Sequence, residues 1–248
     1  MQFDEKWDFV GKKEKNREPE EDRVGDCWDH VALDPESRLV VSLVVGKRTA
    51  EATHELVRDF HRRTGGRIPR LITSDEYPVY TDAIRTAYSH VVTPPPTGKP
   101  GRPRKPSLVL PAEVTYATVH KEKENGRVVR VSETLVFGTL VALAVALALS
   151  RVSRRVNTSF VERHNGTDRG RCGRKGRKSY EFSKSWTMHV AATRFSYFSY
   201  NFCWCVRTLR LKGEDGRYHA RTPAMAAGLT DHVWSIREWI TFPAVQRQ

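Results

Sequence analysis

Cysteine is scarce in this chain, and its placement excludes two architectures. Cys27, Cys172, Cys203 and Cys205 form no Cys-x-x-Cys pair and follow no signal-peptide pattern. Neither a zinc ribbon nor a disulfide framework is expected, and a reducing cytoplasm is the expected setting. Long apolar runs are scarce too. The one run, Leu135 to Leu149, contains Gly138 and Thr139 and as a helix would span about 22 Å against about 30 Å of hydrocarbon. It reads as a buried helix, with no membrane partner. No internal repeat is evident, and 248 residues suffice for one large domain or one domain with an insertion. Acidic residues are in deficit, 29 against 42 Lys and Arg, for a formal charge of +13, which points to an anionic partner.

The location of that charge says more than its size. Between Pro94 and Lys178 there are 18 basic and 6 acidic residues, so the rest of the chain is nearly neutral. A generally basic solvated surface would spread the excess, whereas concentration in one third of the chain favours a nucleic-acid face.

In chain order, Phe3, Trp7 and Phe9 alternate with Asp4 and Asp8 as in a half-buried strand. Residues 27–33 and 39–45 read as two strands joined by Asp34-Pro35-Glu36-Ser37, a turn by composition. Thr49 is a plausible N-cap for a helix presenting Ala52, Leu56, Val57 and Phe60, ended by Gly65-Gly66. A short strand, 68–73, finishes at Ser74-Asp75, and a helix follows from about Pro78 to Tyr88. An acidic residue at the C-terminal end of such a strand lies where α/β sheets bind ligands.

The segment from Pro94 to Pro106 is too rich in proline for a regular element. It reads either as a basic linker or as an arm resembling an AT-hook around Gly101-Arg102-Pro103. Asn125-Gly126 signals a hairpin between 114–121 and 127–131. Glu162 begins a polar helical segment that leads into residues 169–178, with six cations and three glycines. Backbone this permissive, with this much charge, suits close approach to phosphates. A helix over about 183–205 carries Trp186, Phe195, Phe198 and Phe202, spaced for core packing. Thr222-Pro223 opens a short helix, and a last one holds Val233, Trp234, Ile236 and Ile240.

Three carboxylates stand out: Asp4 on the first strand, Asp75 at the end of a later one, and Glu162 on a helix. Oxygen ligands without a His/Cys set suit Mg²⁺ or Mn²⁺ rather than zinc, and two such ions could drive phosphodiester chemistry. Arg169, seven residues after Glu162, would share its face if one helix runs through Gly166.

The runs Phe3-Asp4-Glu5-Lys6-Trp7-Asp8-Phe9-Val10-Gly11-Lys12-Lys13, Thr73-Ser74-Asp75-Glu76-Tyr77-Pro78-Val79-Tyr80, Glu162-Arg163-His164-Asn165 and Phe182-Ser183-Lys184 resemble transposases of the insertion-sequence-one family. The ending Thr222-Pro223-Ala224-Met225-Ala226-Ala227-Gly228-Leu229 is also similar to transposase C-termini. The resemblance spans nearly the whole chain. It implies an RNase H-like mixed sheet flanked by helices, a DDE metal site of Asp4, Asp75 and Glu162, and DNA cleavage followed by strand transfer at element ends. Asp34 competes with Asp4 for the first position; Asp4 is preferred because it lies within a strand and Asp34 at a turn.

The expected organisation is a catalytic domain over 1–178 with an insertion at about 94–131 holding the Pro-rich arm and hairpin, then a helical C-terminal part over 179–248. Expected DNA contacts are Lys12 and Lys13, Arg102, Arg104 and Lys105 of the arm, Arg163, His164 and Asn165 beside Glu162, and Arg169, Arg171, Arg174, Lys175, Arg177 and Lys178. Family members usually carry an N-terminal zinc-ribbon and helix-turn-helix region. This chain therefore resembles a catalytic half, whose expected partners are element-end and target DNA, a separately encoded recognition region and further copies of itself on DNA. Such a protein would work in the cytoplasm, associated with the nucleoid when bound. A DNA-binding remnant that no longer cuts and a metal-dependent nuclease are the alternatives.

Overall fold

The computed structural model describes residues 1–21, 23–95, 105–176 and 179–242. Its centre is a mixed six-stranded sheet, flanked by helices on both faces, in the order β3-β2-β1-β4-β7-β8. β1 (Gln2–Val10), β2 (Gly25–Leu33) and β3 (Val40–Gly46) form an antiparallel meander. The turn between β2 and β3 is where composition put it, and Asp34 builds it. Its carboxylate accepts from the backbone N–H groups of Glu36 at 3.2 Å and Ser37 at 3.1 Å.

Helix α1 (Ala50–Arg63) starts where the Thr49 hydroxyl accepts from the Ala52 N–H. β4 (Ile72–Asp75) begins later than the expected Ile68 and lies parallel to β1, with Gln2 opposite Thr73. Helix α2 (Val79–Tyr88) then returns beside α1. Together they cover one face of the sheet, where Phe3, Leu56, Phe60, Ile72, Tyr80 and Ile84 are all sealed from solvent. Each such side chain contributes about 1.5–3 kcal/mol of burial.

β5 (His90–Val92) and β6 (Ser107–Val109) form a separate ribbon on either side of the proline-rich arm. Gly101, Arg102, Pro103 and Arg104, on which the AT-hook resemblance rests, lie outside the described residues. β7 (Tyr116–Glu124) and β8 (Arg127–Phe137) turn at Asn125 and Gly126, whose φ of 50° and 79° are the left-handed values of a tight hairpin. The hairpin, expected within an insertion, supplies two strands of the central sheet. β7 pairs in parallel with β4, setting Asp75 opposite Val119, so residues 116–137 belong to the central sheet.

The apolar run also behaves differently from the expectation. Residues 135–137 finish β8, Gly138 breaks the strand at φ 93°, and only 140–149 form a helix, α3 (Leu140–Leu149). Leu143 and Leu147 pack on Ala117, Val119 and Val156, while Leu140 and Val141 stay 75% and 73% exposed. A helix apolar all round can bury only the face that meets the sheet. Among the described residues no helix is long and apolar enough to cross a membrane.

Two further helices, α4 (Ser159–Arg171) and α5 (Trp186–Cys203), cover the other face of the meander. On α5 the aromatic core reading is corrected: Phe195 is exposed, Trp186, Phe198 and Phe202 are half-buried, and the inward face carries His189, Thr193, Ser196, Tyr197 and Tyr200. The reason lies opposite. Gln2, Lys6 and Asp8 on the even-numbered face of β1 are buried and polar, and α5 meets the ion pairs that Lys6 makes: Ser196 donates to Asp168 at 2.7 Å and Tyr197 to Asp29 at 3.4 Å. The C-terminal part continues through β9 (Leu211–Lys212), β10 (Tyr218–His219), α6 (Pro223–Ala226) and α7 (Ile236–Thr241), with Thr222 capping α6 as expected. All four cysteines are free thiols.

Candidate active site

Parallel pairing of β1 and β4 sets the geometry. Gln2 lies opposite Thr73, and two residues along each strand, on the same face, come Asp4 and Asp75. The same pair of registered residues also fixes the third element. The Gln2 amide donates to the Asn157 carbonyl at 2.7 Å, and the Thr73 hydroxyl donates to that oxygen at 3.0 Å. The Gln2 carbonyl oxygen accepts from the N–H groups of Phe160 (3.1 Å) and Val161 (3.0 Å), which are orphan donors in the first turn of α4. Gln2 therefore caps α4 from a strand about 160 residues away in sequence, and the next turn delivers Glu162 and Asn165 over the two aspartates. Gln2→Leu would leave these helix donors unpaired in a buried place; a loss of about 1–3 kcal/mol is expected in urea denaturation.

Asp4, Asp75 and Glu162 line a single cleft of about 520 Å³, with Thr158 at its back and Arg48, Lys121, Lys123, Glu76 and His120 around it. Asn165 donates to Asp4 Oδ2 at 2.7 Å. Tyr77 N–H donates to Asp75 Oδ1 at 3.2 Å. The Glu162 carboxylate accepts from the Thr158 hydroxyl and forms an ion pair with Lys121. At the rim His120 Nδ1 meets Glu76 at 2.7 Å, and Arg48 holds the neighbouring Glu5 at 3.0 Å. Burial, then the charges of Asp75, Glu5 and Glu162, push the Asp4 carboxyl up to about 8. Asp34, the competing first aspartate, holds its own turn and does not line the cleft.

The donor set is all oxygen, and the cleft favours the neutral form of Asp4, which a bound cation would reverse. That chemistry fits Mg²⁺ or Mn²⁺. Among the described residues no three acidic, His or Cys side chains converge on one point, and Glu162 is engaged by Lys121.

α4 runs unbroken through Gly166, so Glu162 and Arg169 share a face, and one Arg169 N–H donates to the Trp7 carbonyl at 3.3 Å. Beyond it the expected DNA contacts divide. Lys13, Lys105 and Arg163 are exposed, and Lys12 pairs with Glu21 at 2.8 Å. Arg171 lies 4.6 Å from the ring centre of Trp204. Arg171 and Arg174 line a second cleft of about 720 Å³ with Lys184, Tyr180 and Phe182. Arg177 and Lys178 lie outside the described residues.

Three of the expected contacts are buried instead. His164 sits between Tyr197 and Tyr200 at 5.0 and 4.6 Å, and burial lowers it to about 3, so it is neutral and apolar in role. Lys175 is 3% exposed and turned inward. It meets Asp29 at 2.7 Å and Asp168 at 3.0 Å, and Lys6 on β1 bridges the same two carboxylates. Ser196 of α5 donates to Asp168 at 2.7 Å. Burial opposes charge on Asp29, yet Lys175 and Lys6 hold its carboxyl well below the usual range, and Asp168 follows the same balance. Asn165, also expected on the DNA, is buried and serves Asp4.

Sequence reasoning missed Gln2, Lys121 and the Lys6–Asp29–Asp168–Lys175 network. The unusual polarity of every even residue from Gln2 to Asp8 was the available signal. Comparison with family models, with curated proteins and with solved structures finds no match to the chain.

Proposed function

We propose that this chain is the catalytic part of a DNA transposase, resembling the insertion-sequence-one family, that cuts and joins DNA at element ends. One observation carries the reading: Asp4, Asp75 and Glu162, drawn from two neighbouring strands and a distant helix, line one cleft. The strand order, with β1 between antiparallel β2 and parallel β4, is compatible with an RNase H-like fold.

In this reading the three carboxylates hold the ions, and Asn165 and Thr158 orient the first and third of them. Mg²⁺ or Mn²⁺ held there would supply Lewis-acid activation of a water or 3′-hydroxyl and stabilise the leaving oxygen. Arg48, Lys121 and Lys123 border the cleft with positive charge that receives the phosphate backbone. The second cleft, with Arg171, Arg174 and Lys184, offers further cations to a phosphate backbone.

The test supplies element-end DNA, Mg²⁺ or Mn²⁺ and the upstream recognition region, and follows nicked and joined products on sequencing gels. Wild type and Asp34→Asn are expected to cut and join, with Asp75→Asn and Glu162→Gln inactive. Binding with no cutting by wild type would favour the remnant, and cutting without joining the nuclease. Full activity of Asp75→Asn would remove the proposed site.

A further inference from the structure

Inside the cleft Glu162 already has a cation. Lys121, on β7, reaches across to its carboxylate and stands 3.4 Å from the Thr158 hydroxyl that orients the same group. Both partners are open to solvent, Lys121 at 29% and Glu162 at 45% of the side chain, so the pair can separate without unfolding anything. Its neighbours offer Lys121 no other anchor of the strength seen at Arg48, which is fixed between Glu5 and the rings of Trp28 and Tyr77.

We propose that Lys121 is a coupling residue: a tethered cation that occupies Glu162 until DNA or a divalent ion arrives, so that each ligand favours the other. A metal ion competing for Glu162 releases the ammonium group into a cleft already lined by Lys123 and Arg48, where a phosphate oxygen is its natural partner. A DNA phosphate that draws Lys121 away leaves Glu162 open to metal. Two ligands that compete with, or draw off, one internal ion pair must help each other, and the help is reciprocal in free energy. This inference rests on the proposed metal and DNA reading of the same cleft.

The test measures Mn²⁺ affinity by titration calorimetry, with and without an uncleavable duplex, for the full chain and its Lys121→Met and Lys121→Arg forms. For wild type the duplex is expected to tighten Mn²⁺ binding about five-fold or more. Lys121→Met should bind Mn²⁺ more tightly than wild type without DNA, lose most of the enhancement with DNA, and show a DNA salt slope reduced by about one unit. Lys121→Arg should restore coupling, which separates the ion pair from mere packing. Lys121→Met binding Mn²⁺ no more tightly, or keeping the full enhancement, would overturn the proposal while leaving the metal site in place. Wild type that binds no Mn²⁺ at all would overturn both the site and this inference.

Discussion

Asp4→Asn is expected to lower metal-dependent strand cleavage by about 10³-fold or more and to make the metal-free protein more stable by about 1–2 kcal/mol. Both effects have one cause. Asp4 is half-buried in the cleft, and its desolvation, then the charges of Asp75, Glu5 and Glu162, raise its carboxyl from 3.8 to about 8. The unfolded chain gives up that proton near 3.8 and the folded chain keeps it until about 8. Between those limits the unfolded state binds fewer protons, and folding stability falls as pH rises. Asparagine removes the charge that must be suppressed and keeps an oxygen to accept from Asn165. Melting curves in chelator at about pH 5 and about pH 8 should show a smaller pH-dependent loss for the variant than for wild type. Metal binding must displace the same proton, so the apparent Mn²⁺ affinity of wild type should climb up to about pH 8 and then level off. An Asp4→Asn protein with full activity would remove Asp4 from the site.

Lys175→Ala should be the most damaging single change outside the cleft. Two lysines and two aspartates share one buried compartment between β1, β2, α4 and α5, and all four side chains are 2% exposed or less. Removing Lys175 leaves Asp29 and Asp168 with Lys6 alone, an uncompensated buried charge that costs about 3–5 kcal/mol. Arg174→Ala, one residue away and on the surface of the second cleft, is expected to change stability by less than about 0.5 kcal/mol. Urea midpoints for the two variants decide between them. A stable Lys175→Ala protein with weakened DNA binding would return Lys175 to the DNA surface.

These two cases show where the sequence was legible. Elements announced by local chemistry could be read directly: Thr49 as a cap, Asp34 in its turn, Asn125-Gly126 in its hairpin and Thr222 before Pro223. Asp4, Asp75 and Glu162 stood out by their places on two strands and a helix, the resemblance grouped them as one site, and all three line one cleft. What could not be read depends on distant pairing. Lys175 looks like its neighbours in a basic loop until Asp29 arrives from a strand 146 residues away. His164 looks like a cation until two tyrosines of α5 enclose it. Lys121, in a charged hairpin, looks like solvated surface until α4 is set over β7. The apolar run misled in the other direction, because hydrophobicity states a preference and the sheet offered α3 only one face.

The capping of α4 by Gln2 also bears on the order of events during synthesis. Asp4 leaves the ribosome early, but Asn165, which orients it, is translated 161 residues later. At about 5–20 residues per second that interval is about 8–32 s. Until then the first strand has no helix to cap and the cleft has no Glu162. A nascent chain therefore has no assembled cleft until α4 has been made, and a product truncated anywhere before α4 would lack its helical wall.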